Sequence, residues 1–295
     1  MQMDELTQQA VAFYRQLQDR ICTALERADG GARFQEDVWS REGGGGGRSR
    51  VLVEGDLFEK AGVGFSEVYG ELAPDLARTM PMGDGTAFFA AGVSLVLHPR
   101  SPMVPTVHAN FRCLQRGSAS WLGGGADLTP IYPFEEDCRH FHGAFRAALD
   151  AHDPALYPRW KQHCDEYFSL PHRGGEMRGI GGVFFDYLPA DAAALEIQRT
   201  AGQAFLPSYL PICARRRALP WGERERSFQL WRRGRYVEFN LLHDRGTVFG
   251  LKTGGRTESI LMSLPPLVRW GYAESFAPGT PEAEALEFLR PRDWA

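Results

Sequence analysis

The sequence predicts an α+β fold in which a mainly antiparallel sheet is covered by helices. Strand-like runs come in neighbouring pairs: residues 88–98 and 107–115 flank the loop PRSPMVP, and residues 235–242 and 247–251 flank the turn-like spacer His243 to Gly246. Helix-period runs lie at 4–28, 134–150, 155–168, 190–205, 223–232 and 281–289, without strict strand–helix–strand alternation. No internal repeat or linker divides the chain, so residues 1–295 read as one domain.

The first helix rests on Leu6, Ala10, Phe13, Leu17, Ile21 and Leu25, spaced by three or four, with Gly30 and Gly31 stopping it. Gly43 to Gly47 then precede RSRVLVEG and read as a flexible loop, or as backbone that must approach something closely. The run FFAAGVSLVLH and the run VHANFRCLQ carry the first strand pair; Trp121 to Asp127 and Gly182 to Tyr187 are further strands.

Composition narrows the function. A net charge of -4 argues against nucleic acid as the main partner. Only Lys60, Lys161 and Lys252 are lysines among 33 basic residues, so any anion site must be argued from particular arginines. The five cysteines are scattered, odd in number and without a CxxC pair, which fits a reducing compartment. A polar N-terminus and no apolar run of roughly 18 residues predict a cytoplasmic chain without a membrane span. Neither GxxxxGK[ST] nor GxGxxG occurs, so nucleotide cradles have no support.

Side chains alternate along a strand, so His108, Asn110 and Arg112 share one face and Val107, Ala109, Phe111 and Cys113 the other. Imidazole, amide and guanidinium in a row suit a solvent-facing strand or a polar cavity that holds an anion and passes a proton. Ser94, Val96 and His98 share a face of the preceding strand, and pairing would let His98 and His108 converge on a metal or a proton relay. In WLGGGADLTP, three glycines before Asp127 leave room for a flat ligand beside one carboxylate, or mark a bulged strand end. His140 and His142 lie about 200° apart on a helix, so one at most faces a site. His172 sits in a Gly-rich loop, Asp244 and Arg245 in the expected hairpin turn, and Arg256 follows Gly254 and Gly255, where guanidinium and exposed amides could grip a carboxylate.

The blocks GGGGRSRVL, VPTVHANFR, GGGADLTP, CDEYF, RGIGGVFFD, GERERSFQLWRRGRYVEFNL, DRGTVFGL and TGGRTESILMSLPPLVRWGY resemble the oxygen-dependent coproporphyrinogen III oxidases, from about Phe13 to the terminal RDW. The resemblance implies a seven-stranded antiparallel sheet with helices on both faces and a homodimer. It implies two oxidative decarboxylations that turn propionates of coproporphyrinogen III into vinyl groups, with O2 as co-substrate, carbon dioxide and hydrogen peroxide released, and no organic cofactor. By matching motif, His108 is the expected proton donor and Asp127 the residue polarising a pyrrole N–H. Ser94, Asn110, Phe111, Arg112, Asp244, Arg245, Gly254, Gly255 and Arg256 are the expected substrate contacts. His98, His108, His142 and His172 match positions that bacterial members associate with a divalent cation. HRGGEMRG is one residue longer than the family's usual loop, FDYL stands for FDDL, and His243 stands where an aromatic residue is common. A histidine-metal oxygenase of another substrate and a non-enzymatic tetrapyrrole carrier are the rival readings.

Overall fold

In the computed structural model, which describes residues 4–252 and 254–295, the chain opens on helix α1 (Glu5–Asp29). Asp4 caps it by accepting from the Thr7 amide at 2.7 Å, and Gly30 closes it at φ 88°, where a side chain would be strained. The predicted apolar stripe is buried, from Ala10 to Leu25.

Strands β1 (Gln35–Ser40), β2 (Gly45–Val53) and β3 (Phe58–Glu71) follow, then the short helix α2 (Pro74–Thr79). Strands β4 (Ala87–Pro99), β5 (Thr106–Arg116) and β6 (Ala119–Thr129) form a meander. Helices α3 (Glu135–Asp150) and α4 (Leu156–Tyr167) precede the last strand, β7 (Gly182–Pro189). The seven strands pair antiparallel in chain order, β1 to β7, as the resemblance implied. Behind the sheet, α1, α3, α4 and α5 (Ala192–Arg216) bury one continuous core against Val107, Ala109, Phe111 and their neighbours. Helices α6 (Glu223–Leu242), α7 (Arg245–Lys252) and α8 (Thr257–Leu261) cover the other face, and α9 (Pro281–Glu287) ends the helical set. All five thiols are buried.

Three expectations are corrected. Residues 235–242 and 247–251 are not a hairpin: the first run is the second half of α6 and the second lies in α7. Helix α6 is buried almost all round from Phe228 to Asn240, so no one-sided stripe marks it, and its Tyr, Val and Phe residues have strand propensity. The five-glycine run is not wholly a loop, because Gly45 to Gly47 lie in β2. A Cβ on Gly46 would stand 2.3 Å from the Trp39 carbonyl, and one on Gly47 2.3 Å from the Trp39 ring, so the close-approach alternative holds. Helix α5 does not stop at residue 205 but runs on through Pro207 and Pro211. Pro211 cannot donate to the Pro207 carbonyl, and the His140 Nε2 donates there instead at 3.0 Å.

Candidate active site

Sheet register sets the site. One row of paired residues crosses all seven strands: Asp37, Ser49, Gly64, Ser94, Asn110, Gly125 and Phe184. The flanking rows hold Gly62, Val96, His108 and Asp127 on one side, and Gly47, Ser66, Gly92, Arg112 and Gly123 on the other. The face under α6 to α8 is therefore a floor nearly free of bulky side chains in its middle. Each glycine within a strand costs about 0.5–1 kcal/mol relative to alanine, so such a run favours close approach over sheet stability. Met262 rests on this floor: a Cβ on Gly62 would come 3.1 Å from its Cγ, and one on Gly64 2.7 Å from its Cε. The Ser49 and Ser259 hydroxyls, 2.7 Å apart, tie the α8 end to β2.

At one margin of the floor, His108 and Asp127 are register partners in β5 and β6. Asp127 is 1% exposed and both its oxygens are engaged. Its Oδ1 accepts from His108 Nδ1 at 2.8 Å and from Arg178 Nη2 at 2.8 Å, and its Oδ2 accepts from Arg178 Nε at 3.1 Å and Nη2 at 3.0 Å. Burial alone would push the Asp127 carboxyl up, but the Arg178 guanidinium and the His108 imidazole outweigh it and hold the carboxyl below its ordinary value. An ionised Asp127 requires the proton on His108 Nδ1, which leaves Nε2 as the acceptor of a neutral ring. The His108 side chain is 20% exposed and meets the Phe168 ring edge-on. Of the two residues that the sequence reading set beside a ligand, Asp127 is buried with both oxygens engaged and His108 is the more exposed.

The arginines divide into two groups. Arg112 donates from Nη1 to Asn110 Oδ1 at 2.7 Å and pairs through Nη2 with Asp186 Oδ2 at 2.9 Å. Arg245 approaches the same Asp186 oxygen at 3.6 Å and lies over the Tyr167 ring, which stacks on Phe184. Asp244 accepts from the Tyr167 hydroxyl at 3.0 Å and caps α7 by accepting from the Thr247 amide at 2.7 Å. Arg256, directly before α8, pairs with Asp37 in β1 at 2.5 Å. Four strand spacings, about 19 Å, separate β1 from β5, so Arg112 and Arg256 stand at opposite ends of the floor. Gly254 adopts φ 67°, and the Gly255 amide donates to the Gly250 carbonyl at 2.8 Å. Phe111, named with its neighbours as a contact, is 1% exposed and points into the core; only its backbone reaches the floor side.

The four histidines expected to share a cation do not fit one ion. His142 lies behind the sheet, its Nδ1 on the Tyr157 hydroxyl at 3.0 Å and its Nε2 on the Ile180 carbonyl at 3.1 Å. His172 has Nδ1 against His243 Nε2 at 3.0 Å and Nε2 against Glu238 at 3.1 Å. His98 is on the His108 side of the sheet but is buried, with Nε2 on the Ser263 carbonyl at 2.9 Å and its ring against Tyr236. Among the described residues, no group of three or more His, Cys, Asp or Glu could hold a metal.

Sequence reasoning missed Arg178 and Asp186. Both lie in quoted blocks, RGIGGVFFD and FDYL, and a charged residue beside a run of glycines or aromatic residues was the available signal.

Two comparisons with known proteins agree. The family model described as coproporphyrinogen III oxidase matches residues 9–294. The chain is 50% identical over 316 aligned residues to an oxygen-dependent coproporphyrinogen-III oxidase of Synechococcus sp. (strain CC9605), covering 97% of this chain and 87% of that protein.

Proposed function

Because this chain belongs to the coproporphyrinogen III oxidase family, we propose that it oxidatively decarboxylates propionates of coproporphyrinogen III to vinyl groups in haem biosynthesis, with O2 as the oxidant. The observation that carries this reading is the small-residue floor, with guanidinium groups at its two ends and the His108–Asp127 pair at its margin.

Arg112 and Arg245 at one end and Arg256 at the other hold the acid arms, while the macrocycle lies over Gly64, Ser94, Asn110 and Gly125. Each charge-assisted hydrogen bond to a carboxylate contributes about 1.5–3 kcal/mol, and two anchored ends fix which ring meets the histidine. Met262 and the α7–α8 segment give way as the ring enters. His108 Nε2 accepts the pyrrole N–H proton as the electron-rich ring gives up electrons, and Asp127 steadies the imidazolium that forms. For each propionate, the β-carbon loses hydrogen, the carboxyl carbon leaves as carbon dioxide, and two electrons reduce one O2 to hydrogen peroxide. The chain's own residues bind, orient and move the proton; the substrate supplies the electrons. No step is routed through a metal, since the four candidate ligands lie apart.

The protein acts in the cytoplasm as a homodimer, with exposed Leu241, Leu242, Trp270 and Tyr272 supplying apolar contact surface. No helix among the described residues is long and apolar enough to cross a membrane.

The test is to load coproporphyrinogen III without oxygen and then admit an oxygen pulse. Vinyl products and carbon dioxide are expected from the native chain, with product formation lost in H108A. Tight binding with neither product would make it a carrier instead.

A further inference from the structure

We infer that Arg178 is a positioning residue for the oxidation, orienting Asp127 and through it the ring of His108. This rests on the reading of His108 as the group that meets the substrate.

The loop before β7 lays Arg178 beside β6. The Ile180 amide donates to the Leu128 carbonyl at 2.9 Å, and the Leu128 amide donates to the Gly181 carbonyl at 3.0 Å. Gly179 is required for that approach, because a Cβ there would stand 2.2 Å from the Leu128 carbonyl oxygen. Arg178 then faces Asp127 with both side chains 1% exposed. Its Nε and Nη2 engage the carboxylate, and Nη1 donates to Asn240 Oδ1 at 3.3 Å. Asn240 is itself held, donating to the Tyr236 carbonyl at 2.9 Å. The guanidinium carbon lies 4.1 Å from the Phe168 ring centre, 4.7 Å from Tyr236 and 4.8 Å from Phe239. A planar fork clamped between aromatic rings fixes the plane of the carboxylate it grips, and Asp127 Oδ1 in turn fixes the imidazole.

Stability does not account for this arrangement. A buried ion pair is on average no more stabilising than well-packed apolar side chains of the same volume. What a fork supplies beyond charge is direction. A lysine would neutralise Asp127 equally and leave its carboxylate free to turn. A misplacement of about 1 Å in a catalytic group can cost about 100-fold in rate.

The experiment compares R178K, the double variant D127N/R178M and H108A with the native chain. R178K is expected to keep its fold and a KM within about 3-fold of native while kcat falls about 10- to 100-fold. The double variant removes both charges, so its melting temperature should stay near native while kcat remains depressed. Native kcat in R178K, or native kcat in the double variant, would overturn the inference. H108A separates the two levels. If H108A turns over normally, the reading of the histidine fails; if H108A is inactive and R178K is native-like, only the role of Arg178 fails.

Discussion

The guanidinium of Arg112 rests on the carboxylate of Asp186, Nη2 to Oδ2 at 2.9 Å, at the end of the glycine floor. An acid arm that reaches Arg112 must share it with Asp186. In R112K the second donor of the fork is lost, and KM for coproporphyrinogen III should rise about 10-fold or more with kcat little changed. D186N removes the competing charge and should lower KM. Steady-state kinetics of the two variants check both signs.

Adjacent glycines in β6 should give opposite phenotypes. A Cβ on Gly123 would lie 2.6 Å from Asp186 Oδ1 and 3.0 Å from Arg112 Nη2, both flexible ends on the floor side. A Cβ on Gly124 would lie 2.7 Å from the Asn110 carbonyl oxygen and 2.9 Å from the Phe111 ring, in the core. G123A should therefore lose about 10-fold in kcat/KM with a nearly native melting temperature, whereas G124A should lose about 1–3 kcal/mol of stability. Thermal melts and kinetics on the same preparations distinguish them.

Asp244 holds the start of α7, the helix that begins with Arg245. Replacing it with alanine removes a cap worth about 1 kcal/mol. Hydrogen exchange at the α7 amides should quicken about 5-fold, while exchange in β4 to β6 stays as it was.

Two buried histidines make stability depend on pH. Burial first, then Arg233 beside it, pushes the His98 imidazole well below its ordinary value, and burial pushes His142 down to about 3. The unfolded chain takes up these protons near pH ~6.5 and the folded chain does not. For His142 the contribution is therefore complete above that value and is lost as pH falls towards about 3, at up to ~1.4 kcal/mol per pH unit, and the contribution of His98 is lost in the same direction. Urea melts between about pH 7.5 and about pH 4.5 should show this slope, and H142Q should flatten it by one proton's share.

The sheet centre and the helices behind it were legible in the sequence, because strand alternation in FFAAGVSLVLH and VHANFRCLQ and the stripe in α1 each bury one side. Helix α6 was not, since a helix buried on nearly all sides carries no stripe; Arg232, Arg233 and Arg235 point inward to Glu176, Glu59 and Glu238. Hydropathy counts such residues as exposed. Strands β2 and β3 were obscured by glycines that make room for Trp39 and form part of the floor. At the site, alternation placed His108, Asn110 and Arg112 on one face correctly. It could not show that Arg178 arrives from a loop 51 positions beyond Asp127, because only the tertiary fold brings the two together.

The proposed reaction makes hydrogen peroxide beside a protein containing five sulfhydryl groups, and their burial decides how the protein survives its own product. Peroxide attacks thiolates, not thiols. Burial pushes Cys22, Cys113, Cys138 and Cys213 up to about 12, and all four sit in the layer behind the sheet. Burial first, and then the nearby Asp127 charge, raises Cys164 well above its ordinary value. Oxidant is released on one side of a seven-stranded wall, and four of the five cysteines are stored on the other. The one cysteine near the chemistry is kept protonated by its burial, and the carboxylate that serves the reaction adds to the effect.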